Sequence, residues 1–322
     1  MRAGDAGVDL FFVISGFVMV YATAPYFARA GGPSTFFVHR LIRIVPIYWF
    51  VTVIYIVMAA AVPLFGKSYS INLAAASFFF VPFARPGGVV QPIVGQGWTL
   101  NYEMFFYVIF AFAVIGTRRT AVFAASCALI VIVVAGKLVA PLPLAFAFWS
   151  DPIIIEFVFG MLIALIYVEG VRLPKIVSLG FIIAGPLLFL ALWPHLSADP
   201  GLRLVTWGVP AALLVAGSTL GSFSPSGLAW RGLAMIGDAS YALYLFHSFP
   251  IRAVIHLARA GGFDLVAIAW PLLIIGVSSA VGLALAIHYA IERPVTKALR
   301  SYVRVPLSRE ARERLETGEV RS

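Results

Sequence analysis

Nine apolar stretches, each near the length of a membrane span, follow one another through this chain: 8–28, 44–63, 98–116, 120–140, 152–169, 175–194, 202–221, 238–258 and 266–291. About 20 apolar residues, wound as a helix, cover the hydrocarbon core of a bilayer. Inside that core only helices and closed barrels satisfy their own backbone polar groups. The expected fold is therefore all-α, a polytopic membrane bundle of about nine transmembrane helices. Composition agrees, because 61% of the residues are hydrophobic and only 11% are charged, against roughly a quarter charged in a soluble domain. The apolar segment 72–83 is too short to span. It reads as an interfacial or re-entrant piece of a Gly- and Pro-rich loop over 64–97.

The net charge of +9 is uneven, since eight of the 23 Lys and Arg residues follow Glu292. A basic tail over 295–322 is expected to lie against anionic headgroups on the cytoplasmic side. No aromatic interleaving or reader motif accompanies these charges, so nucleic acid is not an expected partner. With the tail in the cytoplasm, alternation through nine spans leaves 16 basic residues inside. Arg2, Lys67, Arg85, Lys137, Arg203, Arg252 and Arg259 fall outside. An odd number of spans puts the N-terminus outside, although MRAGDAGVDLFF has no signal peptide, and a segment is expected to be missing ahead of it. The single cysteine, Cys127, lies in an apolar run, so neither a disulfide framework nor a metal site is expected.

Ionisable groups within spans default to functional hypotheses. Asp9 opens the first span and is either a first-turn acid favoured by the helix dipole or part of a site. Ser15 and Gly16 would let another helix approach closely. Arg40 and Arg43, three residues apart at the cytoplasmic entry of the second span, share a helix face. They are either phosphate-binding guanidinium forks or interfacial anchors reinforced by Tyr48 and Trp49. Glu103 lies about a turn and a half beyond Trp98 in the outer part of the third span. An unpaired carboxylate there is costly, so it should face a cavity or a partner, as a base or as a lock between helices. Ser240 and His247 stand two turns apart on the eighth span. His288 and His256 read as structural, and Glu156 is intramembrane with no further chemistry in its neighbours. Pro294 should end one helix and begin another. By themselves these residues fit a transporter or a transmembrane enzyme.

Taken together, GVDLFFVISGFVM at 7–19, HRLIRIVPIYW at 39–49, GWTLNYEMFFY at 97–107 and SYALYLFH at 240–247 resemble the acyltransferase 3 family in order and spacing. The similarity runs from residue 7 to about 294, within a membrane domain of 1–294. It is nearest to the branch that acetylates exopolysaccharides.

The resemblance implies ten spans in a bacterial inner membrane. It also implies transfer of an acyl group, usually acetyl from acetyl-CoA as donor substrate, to a hydroxyl of an envelope glycan. No cofactor stays bound, and polysaccharide-assembly proteins are possible partners. Arg40 and Arg43 match the inner arginine pair that would hold the CoA phosphates or the reacting acyl group. Glu103 matches the acidic residue of its block, and His247 the late histidine. Asp9, Trp98, Ser240 and Tyr241 fall in blocks that would contact substrate. Family members also have an Arg and a His eleven residues apart on a helix ahead of the Gly-Val-Asp block. This sequence begins after that point, so a chain lacking its first helix, and with it activity, is one expectation. The rivals are a proton-coupled glycan or small-molecule transporter using Glu103 and His247 as a relay, and an inactive binding partner.

Overall fold

A computed structural model describes residues 6–61, 69–139, 141–196, 202–223 and 226–303. Arg2, Lys67 and the tail cations Arg304, Arg309, Arg312, Arg314 and Arg321 lie outside the described residues. In chain order the helices are α1 (Ala6–Ala22), α2 (Gly32–Ala61), α3 (Ile71–Phe78), α4 (Trp98–Ala113), α5 (Arg118–Leu138), α6 (Leu144–Trp149) and α7 (Ile155–Val168). There follow α8 (Lys175–Leu196), α9 (Val209–Leu220), α10 (Leu228–Asp238), α11 (Ser240–Phe246), α12 (Ser248–Ala260), α13 (Ala269–Ile287) and α14 (Arg293–Ser301). No strand occurs among the described residues, only two isolated bridges, Ala84 with Val90 and Leu173 with Gly221.

Each of the nine apolar stretches is helical over most of its described length. By length and composition four helical runs could cross a membrane: Gly32–Ala61, Arg118–Leu138, Lys175–Leu192 and Ala269–Ser301. Gly7–Ala22, Pro152–Val168 and Leu204–Leu220 are apolar but shorter. The protein is an all-α, multi-pass membrane bundle. One expected span differs, because 238–258 divides into α11 and α12 at His247. Pro250 has no N–H for the Phe246 carbonyl, and its ring crowds that oxygen.

Wide turns of π-helix, Leu204–Gly208 and His288–Glu292, precede α9 and α14. Each ends two residues before a proline, Pro210 or Pro294, which then sits in the first turn of the next helix. The wider turn relieves the clash between the proline ring and the carbonyl four residues back, so the helix continues instead of breaking. Pro294 thus stands in the first turn of α14, as expected, but it does not end the helix before it, because Ala269–Ser301 runs through it unbroken.

The chain divides into two compact units, one holding the residues up to Val38 together with Thr99–Phe223, the other His39–Trp98 together with 224–303. In the first, α1 crosses α7 at the closest approach two backbones permit. A Cβ on Gly16 would stand 2.2 Å from the Phe157 carbonyl oxygen, and one on Gly160 would stand 1.9 Å from that of Val13. The expected role of Gly16 is met, and Gly160 is its counterpart. Small residues replace hydrophobic drive in lipid by letting helices touch. Around the crossing Phe12, Phe106 and Phe157 pack ring on ring, with centroids 4.8 and 4.3 Å apart. Val13, Ile163, Val215 and Leu220 extend that core toward α9.

In the second unit the 69–97 segment folds over α2. Arg85 ties it together by donating to the carbonyls of Gln91 (3.1 Å), Ile93 (3.1 Å) and Pro92. Gly87 and Gly88, with φ of +98° and +82°, make the turn inside this loop. Tyr48, weighed above as support for one of two readings of the Arg pair, is fully buried. Its ring lies 4.8 Å from that of Phe80 and fills the space a side chain on Gly97 would need. Trp49 donates its indole N–H to the Phe78 carbonyl at 3.0 Å.

Candidate active site

Within the first unit Glu103 is buried, 6% exposed, on the first turns of α4. Its Oε1 accepts hydrogen bonds from Ser15 Oγ of α1 at 3.1 Å and from the Tyr107 hydroxyl one turn along α4. The carboxylate thus has the partners that its burial demands. Tyr107 was legible as the i+4 neighbour of Glu103, and Ser15 was singled out only as a small residue.

A second polar centre lies in the same unit. Arg203 donates bidentately to Asp9, from Nε to Oδ1 at 3.0 Å and from Nη2 to Oδ2 at 2.8 Å. Its guanidinium also lies 5.0 Å from the Trp207 ring. The fork-to-carboxylate match is the strongest such pair available to side chains. Glu156, fully buried, adjoins both Asp9 and Arg203. Gly208 leaves it room, since a Cβ there would come within 3.1 Å of Glu156 Oε1. The expectation that Glu156 has no chemistry around it is therefore corrected. Asp9 and Arg203 are 194 residues apart, and no local pattern signals the pair. The one available hint was the scarcity of bases able to neutralise an acid at that span end.

Arg40, Arg43 and His247 belong to the second unit. Arg40 is buried, 9% exposed, whereas Arg43 opens onto a polar cavity. Sharing a helix face therefore does not make them an equivalent pair. The segment holding His247 is pinned by Tyr241, whose hydroxyl donates to the Ile44 carbonyl at 2.8 Å. Gln96 adds a bond to the Leu245 carbonyl at 2.9 Å. His247 Nδ1 lies 2.9 Å from the Tyr244 carbonyl, an oxygen that can only accept. A contact to a carbonyl oxygen is one that an N–H on Nδ1 would make. Ser240 is exposed at the start of α11, and Trp98 is half-buried at the start of α4. His288, expected as structural, bonds Glu292 through Nδ1 at 3.0 Å. Among the described residues no three of His, Cys, Asp and Glu gather as metal ligands would.

The first unit by itself offers a buried carboxylate held by two hydroxyls, and the second by itself offers guanidinium groups and an imidazole. These are the parts that acyl transfer to a hydroxyl requires. The comparison with known sequences agrees. The "Acyltransferase domain" family profile matches residues 2–289. The chain is 34% identical over 302 residues to "Exopolysaccharide production protein ExoZ" of Rhizobium meliloti (strain 1021), covering 92% of this chain and 91% of that protein. It is 28% identical over 273 residues to "Acyltransferase MdmB" of Streptomyces mycarofaciens, covering 77% and 68%. No solved structure matches. The chain belongs to the acyltransferase 3 family and is an acyltransferase.

Proposed function

We propose that this protein moves an acyl group, acetyl in the first instance, from cytoplasmic acyl-CoA to a hydroxyl of an envelope or exopolysaccharide glycan. The 34% identical relative is named for exopolysaccharide production, which supports the acceptor class. The observation that carries the chemistry is the buried Glu103 carboxylate between Ser15 and Tyr107. As general base it takes the proton of the attacking sugar hydroxyl. The hydroxyl oxygen bonds to the thioester carbonyl carbon, the carbon–sulfur bond breaks, and the proton passes to the departing thiolate. Arg40 and Arg43 supply fixed positive charge for the donor phosphates or the transient oxyanion. His247, whose Nδ1 lies against the Tyr244 carbonyl, is assigned to the proton transfers of the same reaction. Trp98, Ser240 and Tyr241 of the second unit and, separately, Asp9 of the first are assigned to substrate binding.

The chain is placed in the bacterial inner membrane with its C-terminus cytoplasmic, beside polysaccharide-assembly proteins. Asp9, Glu156 and Arg203 support the alternation on which this rests. All three stand at span ends assigned to the outer side, and they meet in one cluster.

The test supplies labelled acetyl-CoA to membranes holding the chain and measures label on extracted glycan. Glu103→Gln keeps an oxygen for Ser15 and Tyr107 and is expected to lower transfer by about 10²–10⁴-fold. Transfer unchanged in that variant would remove Glu103 from the mechanism.

A further inference from the structure

Within the second unit, α2, α10 and the turn leading into α14 enclose a polar cavity of about 620 Å³. Four cations line it: Arg43 of α2, and Arg293, Lys297 and Arg300 of α14. The α14 residues recur at i, i+4 and i+7, which sets them on one face of the helix. Two carboxylates accompany them, Asp238 and Glu292. Glu292 is buried and committed to His288. Arg300 also lies within electrostatic reach of His39 on α2. Among the described residues the lining therefore holds two more formal cations than anions, and of its acids only Asp238 is exposed.

Gathering like charges in one concavity is unfavourable for the empty protein, and a bound anion reverses the sign. Guanidinium forks match phosphate oxygens bidentately, and a lysine adds a point charge. Several cations facing one space suit more than one phosphate group. The volume lies within the range of small-molecule sites, about 300–1,000 Å³. All three span ends that meet here are ones the charge pattern assigns to the cytoplasm.

We infer that this cavity binds the phosphate groups of a nucleotide-sized organic phosphate, with Arg293, Lys297 and Arg300 of α14 joining Arg43 as its anion partners. On the proposed function, from which the ligand's identity follows, that molecule is the phosphate-bearing end of the acyl-CoA donor. Glu292 and His288 act as positioning residues that fix the turn before α14. The same phosphate chemistry could come from an anionic lipid headgroup, and the experiment separates the two sources.

Purified protein in phosphatidylcholine nanodiscs is titrated with adenosine 3′,5′-bisphosphate, which has the phosphates without the acyl chain, and with adenosine as control. Binding of the bisphosphate and not of adenosine is expected, weakening at least tenfold in Lys297→Ala + Arg300→Ala and restored toward wild type in Lys297→Arg + Arg300→Lys. Thermal unfolding of both variants confirms that they fold. Equal binding in wild type and the alanine variant would overturn the inference. So would no bisphosphate binding at all. Binding confined to phosphatidylglycerol, read as lipid retained by wild type and lost by the alanine variant, would make the cavity a headgroup site and overturn the donor assignment. If the bisphosphate binds as expected while no acyl transfer is measurable, the cavity assignment stands and the proposed function fails.

Discussion

The two π-turns sit in matching local sequence and come to opposite ends. Leu204–Gly208 precedes Pro210 and Arg203 begins it, while His288–Glu292 precedes Pro294 and Arg293 follows it. Around the first, charge is closed. Arg203 is gripped by Asp9, covered by Trp207 and adjoined by Glu156, and its side chain keeps only 17% of its surface. Around the second, charge is open, with Arg293, Lys297 and Arg300 exposed on a cavity that has too few acids among the described residues to match them. A proline-relieved wide turn can therefore serve either as a structural tie or as a rim that waits for a ligand. The partners brought by other helices decide which.

Breaking the closed centre should have the largest effect. Arg203→Met leaves two buried carboxyl groups without a counter-charge, and loss of one partner of a buried pair costs about 3–5 kcal/mol. Thermal unfolding in detergent reads this directly, and Asp9→Asn added to Arg203→Met should recover a large part of the loss. Additive losses in that cycle would mean that the pair contributes no coupling.

Next comes the helix crossing that frames this centre. Gly160→Ala drives a methyl onto the Val13 carbonyl, and overpacking of this kind costs about 1–3 kcal/mol. The same unfolding assay checks it, and Gly232→Ala, at a glycine with open space around it, serves as the control with little change expected.

Tyr107→Phe removes one hydroxyl from Glu103, and a hydrogen bond to a charged group is worth about 1.5–3 kcal/mol. Here the sharper readout is the rate of acyl transfer, which should fall while the helices stay packed. At the open end the smallest stability effect is expected. Lys297→Ala should change unfolding by under about 0.5 kcal/mol, as exposed substitutions do. A loss as large as that for Arg203→Met would mean that the open cavity is a structural tie as well.

Much of this was legible beforehand for reasons that can be traced to local spacing. The apolar stretches follow from the helical rise and the thickness of a bilayer, and Tyr107 lies four residues from Glu103 on the same helix. Gly16 advertised a close crossing, but its partner Gly160 did not, because nothing in either helix fixes which neighbour it meets. The place of Tyr48 stayed open for the same reason. An aromatic residue at a helix end suits an interface or a core equally well, and only the fold of 76–80 and Gly97 against it decided in favour of the core.

By itself the sequence determined the all-α membrane fold, the order of the four motif blocks and the start of a helix at Pro294. These depend on residue types a few positions apart. Only the tertiary structure decided that Asp9 meets Arg203 across 194 residues, that Glu156 joins them, and that α14 turns its cations toward Arg43. Hydropathy sets how long each helix must be. It leaves rotation and neighbour open, and those are fixed by close packing and by the need to pair each buried charge.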